Sequence, residues 1–168
     1  MGRVFAAPAT FLDRVESIRR TEFLFPEPVE RSEFREGFEV ERTAKARRNQ
    51  DFFRRAVLAA YDGRCAVTDI SQPELLVASH IVAWAEDVDL RVRPTNGVCL
   101  NALHDRAFDR HLVSFDDDLT MIVSKRLKMT AENRPFFEGL KLKLPRRFRP
   151  DPTCLARHRD KLLEKERA

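Results

Sequence analysis

The order of local signals between Leu75 and Arg110 limits this chain more tightly than its size or composition does. Leu75-Leu76-Val77-Ala78-Ser79-His80-Ile81 is apolar, carries β-branched residues and follows a Ser71-Gln72-Pro73 turn, which predicts a strand that delivers His80. Residues 82–95 include Asp87, Asp89, Arg91, Arg93 and Pro94 with weak periodicity and read as a loop. Asn96-Gly97 then opens a short apolar segment, Val98-Cys99-Leu100. Asn101 is a fair N-cap for a helix from Ala102 to Arg110, because its side-chain oxygen can accept from a backbone N–H of the first turn. The order is strand, loop, strand, helix.

The flanks extend this centre into an α+β domain. Ala46 to Tyr61 has no Pro or Gly, and Phe53, Val57 and either Ala60 or Tyr61 recur at helical spacing, so an amphipathic helix is expected, ended by Asp62-Gly63. Leu112–Phe115 and Leu119–Ser124 flank Asp116-Asp117-Asp118 and predict a short hairpin; Leu155–Glu166 predicts a closing helix. Residues 1–45 mix charges with scattered aromatics and break at Pro26-Glu27-Pro28. They read as an arm or linker with one short helix over 10–20, leaving 46–165 as the folded domain. A chain of 168 residues, 43% of them hydrophobic, supports one such core but not two.

Several classes are disfavoured. No run of 18 apolar residues and no apolar leader with a cleavage site occur, so no membrane partner is expected and a cytoplasmic location follows by default. Cys65, Cys99 and Cys154 are odd in number and form no Cys-x-x-Cys pair, which favours buried thiols over a disulfide framework or a structural zinc. The net charge of +4 is unevenly spread: −1 over residues 1–45, −3 over 46–124 and +8 over 125–168. A basic segment beside a mildly acidic centre suits a polyanion surface next to a carboxylate metal site, although a solvated basic tail has the same composition.

The polar residues of the centre supply the parts of a phosphodiester hydrolase. Asp105 and Asp109 lie one helical turn apart, so their carboxylates project from one face and can approach a hard cation such as Mg²⁺ or Mn²⁺. Taken alone that spacing is more often a solvated helix face. Neutral imidazole can take a proton from water at cellular pH, which fits His80, while a divalent ion offsets charge on the phosphoryl and leaving oxygens. Standing alone, His80 would be read as a core histidine bonded to a carbonyl.

Phe53-Arg54-Arg55-Ala56-Val57-Leu58, Cys65-Ala66-Val67-Thr68, Ala78-Ser79-His80-Ile81 with Trp84, Asn96-Gly97-Val98-Cys99-Leu100 and Leu103-His104-Asp105-Arg106-Ala107-Phe108-Asp109-Arg110 follow one another in order. So arranged, they resemble the HNH endonucleases of ββα-metal fold, in the branch found in restriction enzymes and anti-phage effector nucleases. Leu144-Pro145 through Pro150 and His158-Arg159 extend the likeness, which spans about residues 46–160. It implies a ββα-metal core with flanking helices, a metal-dependent endonuclease acting on double-stranded DNA, and 3′-hydroxyl and 5′-phosphate ends.

By the same resemblance His80 is the general base and Asn96 braces the loop and fixes the histidine strand. Many members place a metal histidine nine residues after the asparagine, and that position here is Asp105; His104 stands at eight. Asp105 and Asp109 are therefore the expected ligands of Mg²⁺, with Mn²⁺ or Ni²⁺ as alternatives. His104 is left to bind metal, contact phosphate or pack. The position before the base, often acidic in other branches, is Ser79, whose hydroxyl could hold a metal-bound water. Arg106, Arg110, Arg146, Arg147 and Arg149 are the expected phosphate contacts. Members often carry two Cys-x-x-Cys pairs around a zinc, and Thr68 stands where the partner of Cys65 would be, so no structural zinc is expected and packing of Val67, Val77, Ile81, Val98 and Phe108 must hold the site. Ala83, Asp69 and His111 stand where proline, glycine and glycine are usual. Two other readings stay open: a catalytically inactive nucleic-acid-binding module, and a nuclease active only as a homodimer or when tethered to a recognition or sensor domain.

Overall fold

The computed structural model describes the backbone of residues 31–167 and the side chains of residues 45–167. The expected short helix over 10–20 and the break at Pro26-Glu27-Pro28 lie outside the described residues. By contact the chain divides into Met1–Thr43 and Ala44–Ala168, and the second unit holds every element discussed below apart from the start of the first helix.

Helix α1 runs from Arg31 to Ala60, starting well before the Ala46 that apolar periodicity predicts. Residues 31–45 contain no proline, and four Glu, three Arg and one Lys among them are compatible with helix by propensity. Where the helix enters the core the expected face is present: Phe53, Val57 and Tyr61 are all buried. The helix ends where Asp62 and Gly63 adopt left-handed φ values of 52° and 62°, and the Gly63 N–H reaches back to the Leu58 carbonyl at 2.9 Å.

Strands β1 (Leu76–His80) and β2 (Gly97–Asn101) pair antiparallel, with Ser79 opposite Val98 and His80 opposite Gly97. Every residue of β2 is buried. Helix α2 (Ala102–Asp109) follows directly, and the Asn101 carboxamide oxygen accepts from the His104 N–H at 3.1 Å, the cap that the sequence predicts. Its other end is a Schellman closure: the His111 N–H donates to Phe108 O and the Leu112 N–H to Ala107 O, both at 2.8 Å. His111 supplies the left-handed residue, with φ 55°, at the position where glycine is usual.

The hairpin β3 (Val113–Phe115) and β4 (Met121–Val123) and the helix α3 (Pro152–Arg167) complete an α+β architecture. Helix α3 buries Leu155, His158 and Leu162, and it packs on β3. Of the five side chains expected to hold the site, Val67, Ile81, Val98 and Phe108 are buried and Val77 is only partly so. All three cysteines are buried.

Candidate active site

His80 ends β1 inside a cage drawn from α1 and the 82–95 loop. The Phe53 ring of α1 stacks on the imidazole at 3.8 Å between centroids and 10° between planes, and Trp84 meets it edge-on at 5.6 Å. His80 Nε2 lies 3.0 Å from the Arg91 carbonyl oxygen. A carbonyl can only accept, so Nε2 carries the hydrogen and the lone pair of the neutral ring sits on Nδ1. Burial holds this imidazole below the ordinary histidine value of 6.5, and the bond to Arg91 O opposes that shift. The ring is thus kept neutral, with a basic nitrogen available, at physiological pH.

Asn96 locks the 82–95 loop that carries Trp84 and Arg91. Its Oδ1 accepts from the Val82 N–H at 2.8 Å, and its Nδ2 donates to Val82 O at 3.0 Å and Leu90 O at 3.3 Å. Its backbone carbonyl accepts from the Ile81 N–H at 3.0 Å. The buried Asn96 side chain therefore ties Val82 to Leu90 within the loop, while its backbone carbonyl holds Ile81, the residue after His80. The loop is further clipped by Arg91, whose Nε donates to Trp84 O at 2.6 Å while its guanidinium lies 5.4 Å from the Trp84 ring centroid.

The structure also brings together Ser79 and Asp105, 26 residues apart in sequence: the buried Ser79 hydroxyl donates to Asp105 Oδ1. This puts a carboxylate beside the strand end that bears His80. No Lys or Arg pairs with Asp105 among the described residues. Asp109 lies one turn further along α2, exposed, with Arg106 at 3.9 Å. No cluster of three His, Cys, Asp or Glu arranged for a metal occurs among the described residues. An all-protein cage is not required, however, because Mg²⁺ keeps several waters and takes one or two carboxylates together with substrate phosphate. A carboxylate without a cationic partner, a neighbouring hydroxyl and a second carboxylate one turn away fit that hard-oxygen demand.

His104 is placed differently. It is 2% exposed, with Nε2 2.7 Å from Phe136 O and Nδ1 2.9 Å from Asn101 Oδ1. Of the roles open to it from sequence, this arrangement is the packed one, and binding a metal or a phosphate would break one of these contacts.

The arginines fall into separate groups. Leu103, Arg106, Ala107 and Arg110 share one face of α2 and line a groove of about 460 Å³ floored by Leu112, Leu127 and Phe137. Each of these arginines follows an aspartate by one residue, roughly 100° round the helix, so the cationic flank is distinct from the carboxylate flank. Arg126 enters the same groove from the loop after β4. Arg146, Arg147 and Arg149 are exposed on the segment before α3. Arg149 lines a separate cleft with Thr95 and Arg159.

Phe53, Arg91, Arg126 and His158 were not singled out from sequence for these roles. Phe53 and Trp84 lie within the recurring motifs, a signal that could have marked them, but Arg91 and Arg126 carry none. His158 is a buried support under α2: its ring stacks on Phe108 at 3.7 Å, its Nε2–H donates to Phe108 O at 3.0 Å, and Nδ1 is 2.9 Å from Ser114 Oγ. His111 stacks on its other side at 4.5 Å. Burial first, and then the neighbouring His111, push the His158 pKa down to about 3.

Residues 65–116, about a third of the chain, match the model of the family described as HNH endonuclease. That span runs from Cys65 through both strands and α2 into the start of the hairpin turn. No curated protein matches the chain.

Proposed function

We propose, from the match of residues 65–116 to the HNH endonuclease family, that this protein hydrolyses phosphodiester bonds of double-stranded DNA with His80 as general base and Asp105 as the principal holder of a divalent ion. The observation that carries the reading is the His80 cage, which leaves a neutral ring with its basic nitrogen on Nδ1. Water attacking phosphorus gives its proton to Nδ1 while Nε2–H stays bonded to Arg91 O, so the carbonyl dipole stabilises the imidazolium that forms. The new bond is water oxygen to phosphorus, and the bond that breaks is phosphorus to the 3′-oxygen, which takes a proton from solvent, leaving 3′-hydroxyl and 5′-phosphate ends.

Asp105 holds the ion, assisted by Asp109, and Ser79 orients the Asp105 carboxylate or a bound water. Mg²⁺ in this position supplies charge neutralisation to the scissile phosphate and its leaving oxygen, and Mn²⁺ or Ni²⁺ can substitute. Asn96 keeps His80 and the loop in place. Arg106 and Arg110, with Arg126 beside them, take backbone phosphates on the other flank of α2, and Arg146, Arg147 and Arg149 extend the basic surface. The domain is residues 46–165, acting in the cytoplasm. No helix among the described residues is long and apolar enough to cross a membrane. Restriction or defence against phage is the setting that the sequence likeness favours, with a homodimer or a recognition domain supplying specificity.

The test is plasmid cleavage with Mg²⁺, Mn²⁺, Ni²⁺ or EDTA, comparing wild type with His80→Ala and Asp105→Asn. Metal-dependent nicking lost in both variants, with the fold intact by circular dichroism, is the expected result. Full cleavage by His80→Ala overturns the base assignment. Duplex binding with no turnover at any of these metals makes the chain an inactive binding module instead.

A further inference from the structure

Two pairs of polar residues at the same short spacing, Cys65-x-x-Thr68 and Asn101-x-x-His104, meet across the fold, and Asn101 joins them all. The first pair sits on a tight turn in which the Cys65 N–H donates to Ile70 O at 2.8 Å and Asp69 adopts a left-handed φ of 61°. The second pair spans the junction of β2 and α2. The Asn101 backbone N–H points at Cys65 Sγ at 3.2 Å, and Asn101 Nδ2 donates to Thr68 Oγ1 at 3.0 Å. Asn101 Oδ1 accepts from the His104 N–H at 3.1 Å and lies 2.9 Å from His104 Nδ1. His104 then passes the link to Phe136 O at 2.7 Å, in the loop before α3. Cys65, Asn101 and His104 are all buried.

We infer that Asn101 and His104 are positioning residues: with Cys65 and Thr68 they form a metal-free brace that fixes the first turn of α2, so that the next residue, Asp105, meets Ser79 beside His80. Paired ligands at x-x spacing on two facing turns are the pattern by which four thiolate or imidazole groups enclose Zn²⁺. Here Asn101 at the centre reaches the other three positions by hydrogen bonds, Thr68 and His104 through its carboxamide and Cys65 through its backbone N–H. The site thus does by polar contacts what a chelated ion does by coordination: it ties two segments 33 to 39 residues apart at the start of a helix whose fifth-from-last residue carries the functional carboxylate. The role for Asp105 rests on the nuclease reading, whereas the geometry of the brace does not.

The test has one arm for each part. If four facing positions are in place, the Thr68→Cys, Asn101→Cys double variant presents three thiols and the His104 imidazole. It should take up one Co²⁺ per chain with the intense thiolate-to-metal absorption of a tetrahedral site, while wild type shows none. Failure of the folded double variant to bind Co²⁺, or equal binding by wild type, overturns the geometry. For positioning, Mn²⁺ affinity is read by the free-ion paramagnetic resonance signal, and amide exchange is read at His104 and Asp105. Asn101→Ala, or Thr68→Val if the former does not fold, should weaken Mn²⁺ binding by about tenfold, the low end of what losing a residue that orients a ligand costs, and should speed exchange in the first turn of α2. Asn101→Asp, which keeps the cap oxygen, should retain most of both. Unchanged first-turn exchange in the Ala and Val variants, or faster exchange with unchanged Mn²⁺ affinity, refutes the positioning role. If wild type itself binds no Mn²⁺, the nuclease reading fails, and exchange together with Co²⁺ uptake still decide the brace.

Discussion

Gly97 faces His80 across the β1–β2 ladder, and replacing it with alanine probes how α1 holds the base. Its backbone, φ −132° and ψ 146°, is ordinary strand geometry that any residue adopts, so the requirement for glycine is one of space. A Cβ there would lie 2.4 Å from Val57 Cγ2 and 2.8 Å from Phe53 Cζ. Carbon atoms rest at about 3.5–4.0 Å, so the contacting face of α1 must retreat by roughly 1 Å. Phe53 and Val57 are 2% and 1% exposed and have no solvent to move into. Overpacking of this kind costs about 1–3 kcal/mol, offset by the ~0.5–1 kcal/mol that alanine gains over glycine in a strand. A net loss of about 1–2 kcal/mol leaves a domain with ~5–15 kcal/mol of stability folded. Activity should suffer more, because the retreating Phe53 ring is stacked on His80, and a 1 Å misplacement can cost about 10²-fold in rate. Urea unfolding of Gly97→Ala, Val57→Ala and the double variant gives the coupling directly. Removing Cγ2 relieves the closest contact, so the double variant should be about 1 kcal/mol more stable than the sum of the singles. Additivity within about 0.5 kcal/mol, or a Gly97→Ala protein with wild-type stability and cleavage, would falsify the argument that α1 sets the base by close approach.

Other expectations follow from the same contacts. Asn96→Ala strands the buried Val82 N–H and C=O, and at about 1–3 kcal/mol for each orphaned group it should lower urea stability by roughly 2–6 kcal/mol; a loss under 1 kcal/mol would mean the loop is held elsewhere. The four histidines are all shifted below 6.5, His158 furthest, to about 3, so the unfolded chain takes up protons first as pH falls. Stability should be full above pH 6.5 and decline below it. His158 alone contributes about 2 kcal/mol of that loss by pH 5, and a urea midpoint unchanged between pH 7.5 and 5 refutes it. Since the base must be neutral, kcat/KM should rise with pH through a value below 6.5 and then level off; an acid limb centred above 7 is inconsistent with a buried, neutral His80. Arg126→Ala should reduce the salt dependence of duplex binding by about one phosphate contact, with cleavage at saturating DNA little changed; an unaltered slope removes Arg126 from the interface.

What the sequence alone determined is what local chemistry dictates. The apolar run into His80, the Asn101 cap, the residues around Asp116-Asp117-Asp118 and the apolar spacing of Phe53, Val57 and Tyr61 specify elements through neighbours a few residues away, and these elements form as expected. The start of α1 was not legible because apolar periodicity reports burial, whereas the helix continues back to Arg31 through a stretch without proline. Tertiary structure decided everything that depends on distant partners meeting. Arg91 O selects the His80 tautomer from eleven residues away, and Phe53 of α1 packs the ring. Ser79 finds Asp105, and His104 is drawn inward between Asn101 and Phe136 instead of standing open beside Asp105. Adjacent residues of a helix point about 100° apart. Which of His104, Asp105 and Arg106 faces the strand end, the core or the groove was therefore set by how α2 docks, a quantity that no local pattern encodes.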